Sequence, residues 1–143
     1  MRQIARRHYP KEVGTALIGS YSDDGREATV TALAPLTSDS HGTRSEFRRG
    51  VRGLSSFFKK LFRSSAGLEH YVGEWHSHPD GAPFPSGTDD ANSLAIARDP
   101  AARCAECILI IVALGGFVHD DAVSLGVFVY SRTNGKVVLA RVP

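Results

Sequence analysis

Cysteine is scarce in this chain: Cys104 and Cys107 are the two it has in 143 residues. They stand three positions apart with no larger framework, which excludes a disulfide-stapled fold and points to a reducing compartment. No apolar run reaches the roughly 18 residues needed to cross a bilayer. The basic start MRQIARRHYP lacks an apolar stretch followed by a small-residue cleavage site, so no secretory signal is read and a cytoplasmic setting is expected. Charge of either sign is nearly balanced, with 17 basic and 15 acidic residues for a net +2, which gives no ground for a nucleic-acid or membrane partner. Internal repeats, low-complexity tracts and linkers are also absent. What remains, at 42% hydrophobic and 22% charged residues, is an ordinary globular composition, and the length suits one domain over 1–143.

Strand signals dominate. Cys107 to Leu114, CILIIVAL, is a continuous β-branched run expected to be a central strand buried on both faces and closed by Gly115 and Gly116. Val13 to Tyr21 and Ala28 to Leu33, separated by the SDDG turn, predict a hairpin; Val123 to Tyr130 and Val137 to Val142, joined around Asn134-Gly135, predict another. Residues 2 to 9 read as a short helix or irregular lead-in, and PLTSDSHGT at 35 to 43 as a loop. From Arg44 to Arg63 the spacing of Leu54, Phe57, Phe58, Leu61 and Phe62 predicts a helix with one core-facing stripe. Its opposite face would hold Arg48, Arg49, Arg52, Lys59, Lys60 and Arg63, most simply as solvated charge, next as a surface for an acidic protein partner, and as a distant third for a membrane surface or nucleic acid.

Chemistry concentrates in GEWHSHPDGAPFPSGTDD, residues 73 to 90. On an extended Tyr71 to His78, alternation places His76 and His78 on one face and Trp75 and Ser77 on the other. Pro79 ends the strand where the second imidazole is presented. A Gly/Pro-punctuated loop then leads to a helix running to about Asp99, capped by Thr88, whose first turn carries Asp89 and Asp90. Two imidazoles and a carboxylate make a three-ligand zinc set with a fourth position open, the arrangement of catalytic sites. Such a site also needs a carboxylate to accept and return a proton.

His76-Ser77-His78-Pro79, six residues, Ser86, two residues and Asp89 reproduce H-x-H-P-x(6)-S-x(2)-D, and the pattern resembles that of the JAMM (JAB1/MPN+) metalloproteases. Glu12, ahead of the Gly-containing apolar strand VGTALIGSY, resembles the upstream glutamate of that family. The resemblance implies an MPN/JAB-like, cytidine-deaminase-like α/β sandwich with a mainly β central sheet, the long helix on one side and the motif helix on the other. It implies one Zn2+ per chain held by His76, His78 and Asp89, with Glu12 as general base and acid and Ser86 supporting the oxyanion. The activity implied is that of an isopeptidase removing a ubiquitin-like modifier, or a similarly conjugated protein C-terminus, from its target amine. The EWHSHP wording is similar to bacterial members found beside E1- and E2-like proteins in antiphage defence operons.

Alternatives stand beside these assignments. Glu74 shares the face of His76 and rivals Glu12, although a carboxylate so close along the strand more readily bonds a ligand imidazole or reaches solvent. Asp90 rivals Asp89, otherwise serving the helix dipole or supporting the site. Ser86 is otherwise a polar loop residue. Trp75 reads as core. The C-x-x-C pair lacks a second pair of ligands and reads as reduced, partly buried thiols. His8, His41, His70 and His119 lack partners at ligand spacing. A processing protease for a ubiquitin-like or sulfur-carrier precursor, and a metal-free MPN scaffold, are the competing functions.

Overall fold

The apolar run of residues 107 to 114 lies where its composition demands, in the middle of a mixed sheet. The computed structural model describes residues 1–104, 106–115 and 123–138. Along the chain come α1 (Arg2–His8), β1 (Gly14–Tyr21), β2 (Ala28–Leu33), β3 (His41–Gly42), β4 (Phe47–Arg48), α2 (Leu54–Ser64), β5 (His70–His78), α3 (Gly87–Arg98), a 3₁₀ turn at Pro100–Ala102, β6 (Glu106–Ala113), β7 (Ser124–Ser131) and β8 (Gly135–Val138). The sheet order is β2-β1-β5-β6-β7-β8, with β5 and β6 parallel and the other neighbours antiparallel. Every residue of β6 after Glu106 is buried. Both expected hairpins form; of the second, residues 139–142 lie outside the described residues, as do Gly116 and His119. No described helix is long and apolar enough to cross a membrane.

An irregularity in β5 decides which side chains share a face. The β1–β5 register shifts at Leu17/Ile18, opposite Gly73 and Tyr71, and Gly73 sits at φ +150°. Strict alternation would place Tyr71 with Trp75. The extra residue instead puts Tyr71 with Glu74, His76 and Leu109, while Val72 and Trp75 join Leu17, Ile108 and Ile110 on the opposite face. Tyr71 thereby joins two clusters: Ala16, Ile18, Leu54 and Phe58 under α2, and Ala97, Leu109, Ile111 and Phe128 under α3. Both α2 and α3 therefore pack on one face, and α1 covers the other through Ala5. The α/β sandwich is as expected, but the long helix and the motif helix are not on opposite sides.

The expected helix from Arg44 begins only at Leu54. Residues 41 to 48 form the β3–β4 ribbon instead, within and beyond what reads as a loop. Asp39 stops the helix from extending backwards by accepting the Val51 N–H at 3.0 Å and the Arg52 N–H at 3.2 Å. Of the apolar stripe, Leu54 is buried and Phe57, Phe58 and Leu61 are half-buried, whereas Phe62 is 52% exposed and is not core. The Val51 and Arg52 amides lower the Asp39 carboxyl from 3.8 to about 2. A depressed carboxyl contributes stability above its unfolded pKa and loses it as pH falls through the folded value. The denaturation midpoint should therefore drop between pH 4 and pH 2 (about the window these values set), and Asp39→Asn should flatten that drop in a urea titration.

The sheet also fixes the distance between β1 and β5. A Cβ at Gly14 would lie 2.1 Å from the Trp75 carbonyl oxygen and 2.8 Å from the His76 Cβ. Gly14→Ala is expected to destabilise the fold by about 3 kcal/mol, measured by urea denaturation, because neither neighbour is a flexible tip.

Candidate metal centre

His76 and His78 leave the end of β5 on the α3 face, with their Nε2 atoms 3.1 Å apart. Between them Ser77 points the other way and is fully buried; its Oγ accepts the Val13 N–H at 3.0 Å, while its own N–H donates to the Val13 carbonyl at 2.9 Å. The seryl residue thus locks the imidazole strand to the residue after Glu12. His78 Nδ1 lies 3.1 Å from the Ala82 carbonyl oxygen; with the proton on Nδ1, the Nε2 lone pair faces its neighbour.

Helix α3 delivers the carboxylate. Its N-cap is Ser86, not Thr88, because Asp89 at the third helical position closes a capping box. Ser86 Oγ accepts the Asp89 N–H at 3.2 Å and donates to Asp89 Oδ2 at 2.7 Å, and the Ser86 N–H reaches the same oxygen at 2.8 Å. The carboxylate, held this way, puts Oδ1 3.4 Å from His76 Nε2 and Oδ2 3.7 Å from His78 Nε2. Tetrahedral zinc with ligand bonds of about 2.0–2.1 Å separates its ligand atoms by roughly 3.3 Å. The Nε2 atoms at 3.1 Å and the nearest Asp89 oxygens, Oδ1 at 3.4 Å from one imidazole and Oδ2 at 3.7 Å from the other, lie near that spacing, while the group whose ligand atoms all stand within 4.8 Å of one another is Glu12, His76 and His78, so these residues fit a metal ion.

Glu12 completes the cluster from two residues ahead of β1. It is 8% exposed, its backbone N–H donates to the Thr43 carbonyl at 2.7 Å, and one oxygen lies within 4.8 Å of both imidazoles in a group able to hold a metal ion. Burial pushes its carboxyl up from 4.5, against the pull of His76 and His78. Burial also works to raise Asp89, but hydrogen bonds with His76, His78 and Ser86 outweigh it and hold that carboxyl far below the usual carboxylate range. For His78 burial works against the proton, yet Asp89, the Ala82 carbonyl and Glu12 raise its pKa. An open cleft of about 660 Å³ leads to the centre between the 44–47 turn and the 78–89 segment, with Glu12, His78, Ser86 and Asp89 along it.

The rivals are occupied elsewhere. Asp90 accepts from the Tyr130 hydroxyl and pairs with Lys136 Nζ at 2.8 Å, tying α3 to β7 and β8. Glu74 is bonded to neither His76 nor His78 and does not stand free in solvent: Arg49 Nε lies 2.7 Å from its Oε1, and the Tyr71 hydroxyl donates to the same oxygen. Arg49 is thus not on the α2 face at all. Trp75 is core at 1% exposure, and Cys104 and Cys107 are buried free thiols. Sequence reasoning missed Phe47, whose ring stacks on His76 at 6.3 Å and 25°, and the Arg44–Asp80 pair at the cleft mouth, 2.6 Å long. Phe47 fell inside the expected helix, and no spacing signalled either contact.

Comparison with known proteins adds an independent observation. The model of the Prok-JAB family, prokaryotic homologs of the JAB domain, matches residues 1–125. The CD-NTase/cGAS isopeptidase of Enterobacter hormaechei subsp. hoffmannii is 43% identical over 105 residues, covering 73% of this chain and 56% of that protein. A probable metalloprotease of Sinorhizobium fredii is 29% identical over 116 residues, covering 80% of this chain and 70% of that one. This chain thus spans little more than half the length of the first relative. A solution structure from Desulfitobacterium hafniense, 20% identical, superposes with a TM-score of 0.64 over 96% of this chain and 82% of that one, a likeness of fold alone. Because the family model runs through every element that brings Glu12, His76, His78 and Asp89 together, the chain belongs to the Prok-JAB family of JAB-domain homologs.

Proposed function

We propose that this chain is a zinc-dependent isopeptidase that hydrolyses the bond between a ubiquitin-like modifier, or another conjugated protein C-terminus, and its target amine. The observation carrying this reading is the convergence of two imidazoles and a carboxylate at zinc-ligand spacing, with a buried glutamate facing them across an open cleft. The relative's name, CD-NTase/cGAS isopeptidase, supports the substrate class, and the role proposed is in a bacterial antiviral conjugation system. Its setting would be the cytoplasm, and its partners the conjugated protein and E1- and E2-like proteins encoded nearby.

In this reading His76, His78 and Asp89 hold the ion. Zinc, when bound, lowers the pKa of a water to about 7 and polarises the scissile carbonyl. Glu12 takes the proton of the attacking water on its carboxylate; the water oxygen bonds to the carbonyl carbon, the C–N bond breaks, and Glu12 returns the proton to the leaving nitrogen. Its burial suits the return of the proton, because it raises the carboxyl above its ordinary value. Ser86 orients Asp89 in the ground state, and its hydroxyl, turned from Oδ2 into the cleft, donates to the developing oxyanion.

The test uses the purified chain with a lysine-linked conjugate and a linear fusion of the same modifier. Faster loss of the lysine-linked bond, abolished by a chelator and restored by zinc, is the expected result. Preference for the fusion would move the assignment to precursor processing. A chain that takes up no metal and cleaves neither substrate would be a scaffold.

A further inference from the structure

Glu74 is the one carboxylate on β5, it faces the same way as His76, and the reaction just proposed does not use it. We propose that Glu74 and Arg49 are a positioning pair that fixes the β3–β4 ribbon against the metal strand and, through the ribbon, fixes Glu12. The inference rests on Glu12 being the base.

The ribbon cannot place itself. It consists of two facing pairs, His41 with Arg48 and Gly42 with Phe47, and a two-stranded piece of this size has no stability of its own. It nevertheless sits against both sides of the centre. Its backbone touches Glu12: Thr43 accepts the Glu12 N–H, and a Cβ at Gly42 would lie 1.9 Å from the Glu12 carbonyl oxygen. Its Phe47 ring lies over His76. Something outside must therefore set its position, and among the described residues two ion pairs reach it. Arg44–Asp80 at the tip is water-exposed, at 65% and 36% of the side chains, and such pairs contribute little. Arg49–Glu74 is 22% and 23% exposed, so breaking it leaves a partly buried charge unpaired. Its geometry is also restrained on both sides. Tyr71 donates to the same Glu74 oxygen, and Arg49 Nη1 donates to the Gly50 carbonyl at 3.0 Å.

Glu74→Gln, Arg49→Gln, Arg49→Lys and the double Gln variant, made in the full zinc-loaded chain, test this. Each Gln single is expected to lower kcat about ten- to a hundredfold with a smaller change in KM, the cost of a base displaced by a fraction of an ångström to one ångström. The double variant should fall no further than either single, because the pair acts as one unit, and Arg49→Lys should recover part of the loss. Hydrogen exchange in residues 41–49 should quicken in both Gln singles, with α3 and β6 unchanged. That arm reads the ribbon whether or not any conjugate is cleaved, so a wild-type chain without activity would sink the hydrolase reading and with it the catalytic consequence, while quickened exchange would still show that the pair holds the ribbon. An unchanged kcat in an active enzyme, additive losses, an Arg49→Lys no better than Arg49→Gln, unaltered exchange in the ribbon, or loss of zinc from the Glu74 variant would each overturn it.

Discussion

Glu12→Gln is expected to lower conjugate turnover by about a thousandfold while zinc stays bound, since general acid–base catalysis contributes on the order of 10²–10⁴. Glutamine has the shape of glutamate, keeps the Glu12 N–H bond to Thr43, and removes none of His76, His78 and Asp89. What it removes is a basic oxygen. The environment of Glu12 favours that oxygen being able to carry a proton: burial raises the carboxyl, and the charges of Asp89 and Glu46 add to the rise against the two imidazoles. An amide there is fully tolerable and catalytically useless. Turnover and metal content, measured on the same preparation, separate a lost base from a lost ion. Retained turnover would move the base elsewhere, and the rival carboxylate on β5, Glu74, is already tied to Arg49 and Tyr71.

Much of this centre was legible in sequence because its parts are local. The two histidines lie on one strand at a period of two, so their spacing carries their geometry, whereas the family pattern tells Asp89 from Asp90 and its cap is expected at Thr88. β6 was legible for the same reason: a strand buried on both faces needs no partner to be recognised. The contacts that escaped notice are the non-local ones. A ribbon with two-residue strands leaves no period to read, and nothing in residues 41 to 49 announces that Arg49 will meet Glu74 or that Phe47 will meet His76. The faces were misjudged by one residue. The irregularity at Gly73 turns Tyr71 from the Trp75 side to the His76 side, and α2 follows its cluster there through Phe58, which meets Tyr71 edge-on at 6.0 Å. Thr88 lost the capping position to Ser86 because the helix starts where an acidic side chain can reach back, at Asp89.

Asp89→Ala is expected to weaken zinc binding by more than about 100-fold, beyond the cost usual for a group that only supports a ligand. Asp89 also has a second task, and the two are separable. Its Oδ2 accepts both the N–H and the hydroxyl of Ser86, so alanine opens the capping box and should cost the metal-free protein about 1 kcal/mol by urea denaturation. Asp89→Asn keeps an oxygen for the Ser86 N–H but carries no charge for an ion, so it should hold most of that stability while still losing the metal. Acid should mimic the alanine. The imidazole and Ser86 bonds hold the Asp89 carboxyl below the usual range, so the stability it contributes to the metal-free chain is complete above the unfolded carboxyl value and disappears as pH falls through the folded one. Zinc titration of both variants, beside denaturation in chelator, reads the two tasks on separate scales. An asparagine variant that binds zinc as tightly as the parent would show that the third ligand is not Asp89, and the cap alone would then account for its place beside the imidazoles.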